Sequence, residues 1–263
     1  MLNQVKRIYW NGREGVRNFL KNSVVDPVST CTVRGHEIQI GFSNPLEGYR
    51  ISTYATKEPE TLDWLEKDLR ENDVLFDIGA NIGLYSIYAA LVQPKCQVYS
   101  FEPEALNFTR LTRNILQNKL KNIVPMNVAL SESTKFDFLY VHDVLAGAAL
   151  HSFGESDLNS WKLRQGILGV SVDDLVFRFG LPQPTRIKLD VDGIEEKIVR
   201  GAMKTLANPL LREVLVEIAA EDLASNPIHG LLTASGLKQT HSSEWIYKSG
   251  KNSLRNFIYA KES

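Results

Sequence analysis

Residues 74–83 read VLFDIGANIG, and this stretch decides the fold. Its first five positions are apolar except for Asp77, which is typical of a strand buried on both faces. Gly79 and Gly83 then bracket a tight turn, and residues 84–91 have the pattern of the helix that follows. A strand, a glycine turn and a helix form a cradle for a nucleoside-containing cofactor, because glycine lets the backbone come close and the helix N-terminus offers free N–H groups.

Asp77 indicates which cofactor this cradle would hold. A carboxylate at the end of the strand would repel a pyrophosphate, but it would attract the ammonium and sulfonium of S-adenosylmethionine. Asp77 also occupies the place of the first glycine in the dinucleotide fingerprint G-x-G-x-x-G, and the chain contains no G-x-x-x-x-G-K-[ST] phosphate loop. The motif therefore favours S-adenosylmethionine over a nicotinamide dinucleotide.

Composition narrows the class of protein. The formal net charge of -1 leaves no basic excess, so we expect no nucleic-acid partner. The chain has no apolar run of eighteen residues, so we expect no membrane span. Cys31 and Cys96 lie far apart in the sequence and have neither the pattern of a disulfide framework nor the spacing of zinc ligands. Residues 1–22 carry too many charges for a signal peptide. We therefore expect a cytoplasmic protein with reduced thiols.

From Asp73 the pattern alternates between strands and helices. This alternation predicts an α/β fold whose sheet is mostly parallel, with helices on both faces. Residues 136–141 predict a further strand or hairpin arm, and residues 143–169 are a looser stretch rich in Gly, Ser and Ala. The predicted strands are 74–78, 97–101, 123–129, 186–191 and 213–218 with a terminal hairpin of 237–240 and 256–260, and the predicted helices are 84–91, 105–117, 172–179, 195–203 and 227–234.

The first 70 residues have a different pattern and predict a small N-terminal cap. We expect one broken helix or two short helices within residues 5–20, and a hairpin of 30–33 and 37–40. A strand at 50–54 and a helix at 61–69 would follow. The predicted organisation is a cap or lead-in at residues 1–70 and the main α/β domain at residues 71–263.

Candidate site residues follow the predicted strands, because open α/β sheets bind ligands at the carboxyl ends of their strands. Glu102 follows Asp77 at close to the spacing at which an acid accepts hydrogen bonds from a ribose diol. Asp192 directly precedes a predicted helix and could simply cap it, whereas Asp190 ends a buried strand and favours a functional role. Glu217 could face a ligand or merely end its strand. The acids and neighbours at these positions are Glu102, Pro103, Asn127, Ala129, Asp190, Asp192, Gly193, Glu195 and Glu217.

Four sequence segments that contain these candidate residues, taken in order, resemble the FkbM family of S-adenosylmethionine-dependent methyltransferases. The resemblance extends from about Thr56 to the C-terminus, and the ordered set is more specific than any one motif. Asp192 departs from the family, which usually has Glu there, so the chain lacks the longer side chain at this position. The segments are FDIGANIG at 76–83, FEP at 101–103, NVAL at 127–130 and KLDVDGIE at 188–195, with KEPE at 57–60 and GAA at 147–149 as weaker matches.

The resemblance implies a Rossmann-like sheet of seven strands, the last antiparallel, with S-adenosylmethionine as methyl donor. It also implies O-methylation of a sugar, polyketide or other secondary-metabolite hydroxyl. Carried over by position, Asp77 would face the cationic end of the donor, Glu102 would bind the ribose hydroxyls, and Asp190 would lie near the methyl group. The implied cofactor-binding set is Glu58, Asp77, Gly79, Ala80, Asn81, Gly83, Glu102, Pro103, Asn127, Ala129 and Asp190.

Transfer of a methyl group to an alcohol is helped by a base that accepts the hydroxyl proton. Asp190 is the first candidate, followed by His151 and Asp192. Alternatively, Asp190, Asp192 and Glu217 could hold a divalent ion that lowers the pKa of the hydroxyl. We do not assign these residues as metal ligands. Two other classes of function stay open: a nicotinamide-dependent oxidoreductase on a similar sheet, and a binding module that keeps the fold without catalysis. The acceptor and the oligomeric state do not follow from the sequence.

Overall fold

The computed structural model describes residues 27–149, 152–154, 161–191, 193–219, 223–244 and 254–262. Within these ranges, the strands are β1 (Val28–Val33), β2 (His36–Gly41), β3 (Val74–Ile78), β4 (Gln97–Phe101), β5 (Ile123–Met126), β6 (Ala129–Leu130), β7 (Lys135–Val141), β8 (Ser152–Phe153), β9 (Leu163–Val170), β10 (Arg186–Leu189), β11 (Glu213–Ala219), β12 (Leu237–Ser242) and β13 (Leu254–Lys261). The helices are α1 (Pro45–Lys57), α2 (Pro59–Asp68), α3 (Leu84–Val92), α4 (Ala105–Gln117), α5 (Val172–Phe177), α6 (Glu195–Arg200), α7 (Met203–Ala207) and α8 (Pro227–Ala234).

The main sheet has seven strands in the order β12-β13-β11-β10-β3-β4-β5. Strand β3 pairs in parallel with both β4 and β10, and β10 pairs in parallel with β11. The last strand, β13, runs antiparallel to both β11 and β12. The prediction of a mostly parallel seven-stranded sheet with an antiparallel last strand is confirmed. The strand order reverses between β3 and β10, which makes this the switch point at which such sheets bind ligands.

Side chains alternate between the two faces of the sheet and so build two hydrophobic cores. Phe76 and Ile78 of β3 belong to one core, and Leu75 belongs to the other. Residues of α5 to α8 complete the first core, while α2, α3 and α4 complete the second. The predicted coverage of both faces by helices is therefore confirmed. Asp77 alternates with Phe76 and Ile78, so its side chain lies on the Leu75 face.

The predicted strand at 50–54 is wrong, because these residues lie within helix α1. The β-branched residues Ile51 and Thr53 favoured a strand locally, but the preceding residues start a helix. The Asn44 side chain accepts hydrogen bonds from the backbone N–H groups of Leu46 and Glu47 at 2.9 and 3.0 Å, and Pro45 occupies the first helical turn. This capping arrangement satisfies two of the free N–H groups at the helix start and overrides the local preference.

Two other segments differ from the prediction. The stretch 143–169 was predicted to be loose, but it contains β9, which pairs with β7 and with the short β6 in a separate four-stranded sheet. The helix predicted at 195–203 is divided into α6 and α7 near Gly201. A Cβ there would lie 2.2 Å from the Ser131 carbonyl oxygen, so the chain passes too close to that loop for a larger residue. The helices predicted within residues 5–20 lie outside the described residues.

The described part of the N-terminal region shares the core of the main sheet. Ile38 and Ile40 of β2 pack in the same hydrophobic cluster as Leu75. Arg186 of β10 is fully buried, lies over the Trp64 ring of α2 at 4.0 Å, and donates a hydrogen bond to the Trp64 carbonyl oxygen at 2.8 Å. Within the described ranges, no helix has both the length and the apolar character needed to cross a membrane.

A buried ion pair fixes the start of α1 to α4. Arg110 Nε lies 2.6 Å from Glu47 Oε1, and both side chains are almost inaccessible to water. The second oxygen of Glu47 accepts hydrogen bonds from the Ser43 backbone N–H at 2.6 Å and from Asn44 Nδ2 at 3.0 Å. The Glu47 carboxylate therefore accepts hydrogen bonds from Arg110, Ser43 and Asn44.

The substitution Glu47→Gln should lower the free energy of unfolding by roughly 3–5 kcal/mol, because it leaves a buried guanidinium without its carboxylate. Urea denaturation measures this loss. Glu196→Gln is the control: Glu196 pairs with Arg200 on an exposed helical turn at 2.7 Å, and its loss should cost about 0.5 kcal/mol or less. Equal effects of the two substitutions would contradict a structural role for the buried pair.

Candidate active site

A cavity of about 470 Å³ opens at the switch point, where β3 and β10 end. This volume lies within the range of roughly 300–1,000 Å³ that is usual for small-molecule sites. The residues that line it include the turn after β3, the ends of β4, β10 and β11, and one face of α1. The predicted site residues among them are Glu58, Gly79, Ala80, Asn81, Glu102, Pro103, Ala129 and Asp190, and Glu217 also contributes.

Both glycines of the turn after β3 have positive φ angles and close neighbours. A Cβ on Gly79, at φ +82°, would lie 1.8 Å from the Asp190 carbonyl oxygen. A Cβ on Gly83, at φ +90°, would lie 2.4 Å from the Leu111 side chain. The glycines thus allow the turn to pass close to β10 and α4. Gly79 lines the cavity, whereas Gly83 is not among its lining residues.

Glu102 lies at the end of β4 with its carboxylate facing the turn after β3. Its two oxygens accept hydrogen bonds from the backbone N–H groups of Asn81 at 2.8 Å and Glu104 at 2.9 Å. Burial raises the pKa of Glu102 to about 7, although these two N–H groups favour the ionised form. A carboxylate offers about four lone-pair positions, so Glu102 retains acceptor capacity on the side that lines the cavity.

Asn127 supports the same corner without lining the cavity. Its side-chain amide donates to the carbonyl oxygens of Glu102 at 2.9 Å and Pro103 at 3.0 Å. These bonds fix the backbone that follows β4. Val128 and Ala129, the next residues along the chain, form part of the apolar wall.

The segment 146–149 contributes Ala148 and Ala149 to the cavity lining. The Asn81 side chain donates to the Ala148 carbonyl oxygen at 2.9 Å, and Asn107 Nδ2 donates to the same oxygen at 3.1 Å. Arg50 Nε donates to the Gly147 carbonyl oxygen at 2.6 Å. The turn after β3, α4 and α1 therefore all hold this segment in place.

Asp77 does not line the cavity. Its Oδ2 accepts a hydrogen bond from the buried Ser86 hydroxyl at 2.5 Å, and its Oδ1 lies 3.8 Å from Lys188 Nζ. Strand register explains the second contact, because Asp77 and Lys188 are paired residues of β3 and β10. Burial raises the pKa of Asp77, and the Lys188 ammonium opposes this. Asp77 thus faces Lys188, and the expectation that it faces the cationic end of a donor stays a prediction.

Lys188 is a buried ammonium between two carboxylates. Its Nζ lies 2.9 Å from Asp190 Oδ2 and 4.9 Å from the centre of the Tyr85 ring, and only 2% of the side chain is exposed. Burial opposes the charge, but Asp190, Asp77 and Glu58 outweigh it and hold the pKa of Lys188 above its usual range. The Lys188 ammonium in turn lowers the pKa of Asp190, although burial alone would raise it. The lowered pKa makes Asp190 a weaker base than an ordinary aspartate, and its role as the base stays a prediction.

A second ion pair, Lys57–Glu58, and a third carboxylate, Glu217, lie near the Lys188–Asp190 pair. Lys57 Nζ contacts the buried Glu58 carboxylate at 2.8 Å. Glu217 of β11 also lines the cavity, and burial together with Asp190 and Glu58 raises its pKa to about 8. Three carboxylates and two lysines therefore converge at the end of β10 and β11.

Sequence reasoning missed Lys57, Lys188 and Arg50 as parts of the site. The available signal was a lysine within a strand that is buried on both faces, because an ammonium in such a position requires carboxylate partners. Asp192 and His151, both proposed as bases, lie outside the described residues. No group of three or more His, Cys, Asp or Glu side chains within the described residues is arranged to hold a metal ion.

The fold and this site define an α/β protein of the methyltransferase type. Residues 77–226 match the methyltransferase FkbM domain, and the chain belongs to this family. The match includes the strand-end residues from Asp77 to Glu217, whereas Arg50, Lys57 and Glu58 of the site lie before it. The predicted family is confirmed, and the protein is a methyltransferase.

Two relatives and one solved structure illustrate the similarity. Hexuronic acid methyltransferase AglP of Haloferax volcanii is 27% identical over 201 residues, which cover 76% of this chain and 78% of the relative. The 31-O-demethyl-FK506 methyltransferase FkbM of Streptomyces tacrolimicus is 24% identical over 193 residues, covering 64% and 74%. M. jannaschii TYW2 in complex with AdoMet superposes with a TM-score of 0.50 at 15% identity, covering 89% and 84%, and this supports the fold alone.

The raised pKa of Glu217 predicts a loss of stability with increasing pH. The unfolded chain releases this proton near pH 4.5, whereas the folded protein holds it until about pH 8. The folded state binds more protons between these values, so the free energy of unfolding falls as the pH rises through this window. Glu217→Gln removes this loss and should be more stable than the parent at pH 9, by on the order of 2 kcal/mol.

Urea denaturation at pH 5 and pH 9 tests this difference. The two proteins should have similar stability at pH 5, where Glu217 is protonated in the folded state. Glu196→Gln should follow the parent at both pH values. A Glu217→Gln variant whose stability changes with pH as the parent's does would show that Glu217 has an ordinary pKa.

Proposed function

We propose that this methyltransferase uses S-adenosylmethionine to methylate a hydroxyl group of a small molecule or sugar. The observation that carries the proposal is the Glu102 carboxylate, which faces the cavity from the end of β4 and is held by the Asn81 N–H at 2.8 Å. A carboxylate in this position is suited to accept two hydrogen bonds from a ribose diol. The lowered pKa of Asp190 supports the same ligand, because an ionised carboxylate attracts a sulfonium.

The cavity fits the parts of this donor in order along the strand ends. Glu102 would bind the ribose hydroxyls, and Pro103 with Val128 and Ala129 would enclose the adenine. The turn from Gly79 to Asn81 would pass beneath the methionine portion, where an added Cβ on Gly79 has no room. Asp190 would lie near the methyl group. Asp77 would act indirectly in this arrangement, by keeping Lys188 charged beneath the site.

When bound, the donor supplies a methyl group that is already activated on a sulfonium. The protein then has two tasks: to hold an acceptor oxygen in line behind that methyl group, and to remove the hydroxyl proton.

Helix α1 would form the acceptor side of the cavity. Residues three and four apart on a helix share a face, and one such face of α1 lines the cavity. It includes Arg50 and Lys57, whose positive charges suit an acidic sugar, and the half-exposed Tyr49, whose ring suits stacking on a pyranose. A hexuronic acid, as in the name of the relative AglP, is the acceptor class that fits these residues best.

Calorimetric titration should show binding of S-adenosylhomocysteine and no binding of NAD. Glu102→Gln should weaken binding of S-adenosylhomocysteine by about tenfold to a hundredfold, because each charged hydrogen bond contributes roughly 1.5–3 kcal/mol. Glu196→Gln, which changes the same side chain on an exposed helix, should bind like the parent.

Binding of NAD without a response to S-adenosylhomocysteine would overturn the proposed donor. Binding of S-adenosylhomocysteine that is unaffected by Glu102→Gln would place the ribose elsewhere. Transfer of tritium from methyl-labelled S-adenosylmethionine to glucuronic acid, its methyl glycoside and neutral hexoses then compares acceptor classes, and the acidic sugars should be methylated faster.

A further inference from the structure

The end of the cavity near β10 and β11 contains one more carboxylate than its two lysines can pair. Lys57 contacts Glu58 at 2.8 Å, and Lys188 contacts Asp190 at 2.9 Å. Glu217 is the third carboxylate at this end of the cavity. Among the residues that the structure describes, none donates a hydrogen bond to the Glu217 side chain or forms an ion pair with it within 4 Å.

Strand register places Glu217 beside Asp190. Leu189 of β10 pairs with Val216 of β11, so the next residues of the two parallel strands, Asp190 and Glu217, are neighbours. Side chains alternate along a strand, and Glu217 therefore shares a face with Leu215, which belongs to the same core as Leu75. Lys188 and Asp190 lie on that face too, so the unpaired carboxylate borders the Lys188–Asp190 pair.

We propose that Glu217 is the group that accepts the proton of the acceptor hydroxyl, while Asp190, paired with Lys188, orients the acceptor. This inference rests on the proposed function, since it assigns a role within methyl transfer to an oxygen. It differs from the expectation that Asp190 is the base. The difference comes from the partners: Asp190 already has an ammonium at 2.9 Å, whereas Glu217 has none.

The step balances with these residues. The acceptor oxygen forms a bond to the methyl carbon as the bond between that carbon and sulfur breaks, and the electron pair of the broken bond stays on sulfur. The hydroxyl proton passes to a Glu217 oxygen and leaves to solvent after the product departs. No oxidant, reductant or metal ion is required.

The charges around Glu217 support a base that works near neutral pH. Burial raises the pKa of Glu217 most. Asp190, just after β10, and Glu58, at the junction of α1 and α2, raise it further, whereas Lys57 and Lys188 lower it. Asn256 of β13 is its partner across the antiparallel pair and is uncharged. The result is a pKa of about 8 for Glu217 and a lowered pKa for Asp190. Two carboxylates whose pKa values are driven apart in this way are suited to different roles.

An NMR titration tests the assignment without any acceptor. In protein labelled with ¹³C at the glutamate carboxyl carbons, one resonance should titrate near pH 8 and should be absent from Glu217→Gln. The Glu196→Gln spectrum should retain it. If the resonance that disappears in Glu217→Gln titrates near pH 4.5, Glu217 is an ordinary carboxylate and the proposal is overturned.

Kinetics test the role itself, with tritiated S-adenosylmethionine as donor and methyl β-D-glucuronoside as acceptor. The parent kcat/KM should rise with pH and level off above about pH 8. Glu217→Gln should lower kcat by about 10²–10⁴-fold and remove this rise, since general-base catalysis contributes factors of this size. Glu217→Asp should restore part of the rate, and both variants should bind S-adenosylhomocysteine within about twofold of the parent.

The outcomes separate this inference from the proposed function. If the parent does not bind S-adenosylhomocysteine, the proposed function fails, whatever Glu217 does. If the parent methylates the acceptor while Glu217→Gln keeps both its rate and its pH profile, the proposed function stands and the assignment of Glu217 is wrong.

Discussion

The site depends on one buried ammonium, Lys188, held between Asp190 at 2.9 Å and Asp77 at 3.8 Å. A charge in the interior is costly unless opposite charges compensate it, so removing either carboxylate would leave an uncompensated group. The three residues come from two adjacent strands on either side of the switch point, and their positions follow from strand register. The order and register of the strands therefore determine which charges lie next to one another in the cavity.

The same interaction determines what the neighbouring acids can do. Lys188 keeps Asp190 ionised, and that negative charge makes it harder to ionise Glu217 on the next strand. Glu58 adds to this repulsion, while its own charge is paired with Lys57. A stabilised carboxylate and a proton-binding carboxylate thus arise from one arrangement of charges. The free-energy cost of ionising Glu217 in the folded state is consistent with a trade-off between stability and activity.

Sequence periodicity predicted the main sheet because its strands are short, apolar and separated by clear turn signals. The strand at 97–101 and the helices at 105–117 and 227–234 have the predicted boundaries. Helix α1 was missed because Ile51 and Thr53 favour a strand, while the start of the helix is set by Asn44. Strand β9 was missed because its glycines, Gly166 and Gly169, resembled a loop. The Phe153 ring, however, packs where a Cβ on Gly169 would lie, 2.4 Å away.

The position of each strand-end acid could be predicted, but the direction of Asp77 and the charged partners of these acids could not. Glu102 faces the cavity as expected, because it lies just beyond β4 where the backbone turns. Asp77 lies one residue before the end of β3, and the alternation of side chains directs it away from the cavity to Lys188. The pairing of charges between different strands depends on strand order, which only the three-dimensional structure provides.

A crystal structure of the protein with S-adenosylhomocysteine tests the central claim most directly, namely that one cavity holds the donor at Glu102 and performs proton transfer beside Asp190. The ribose hydroxyls should lie within hydrogen-bonding distance of the Glu102 carboxylate, and the sulfur should face Asp190 and Glu217. Lys188 should keep its contact with Asp190. A nucleoside bound away from Glu102, or a sulfur directed away from the end of β10, would contradict this account.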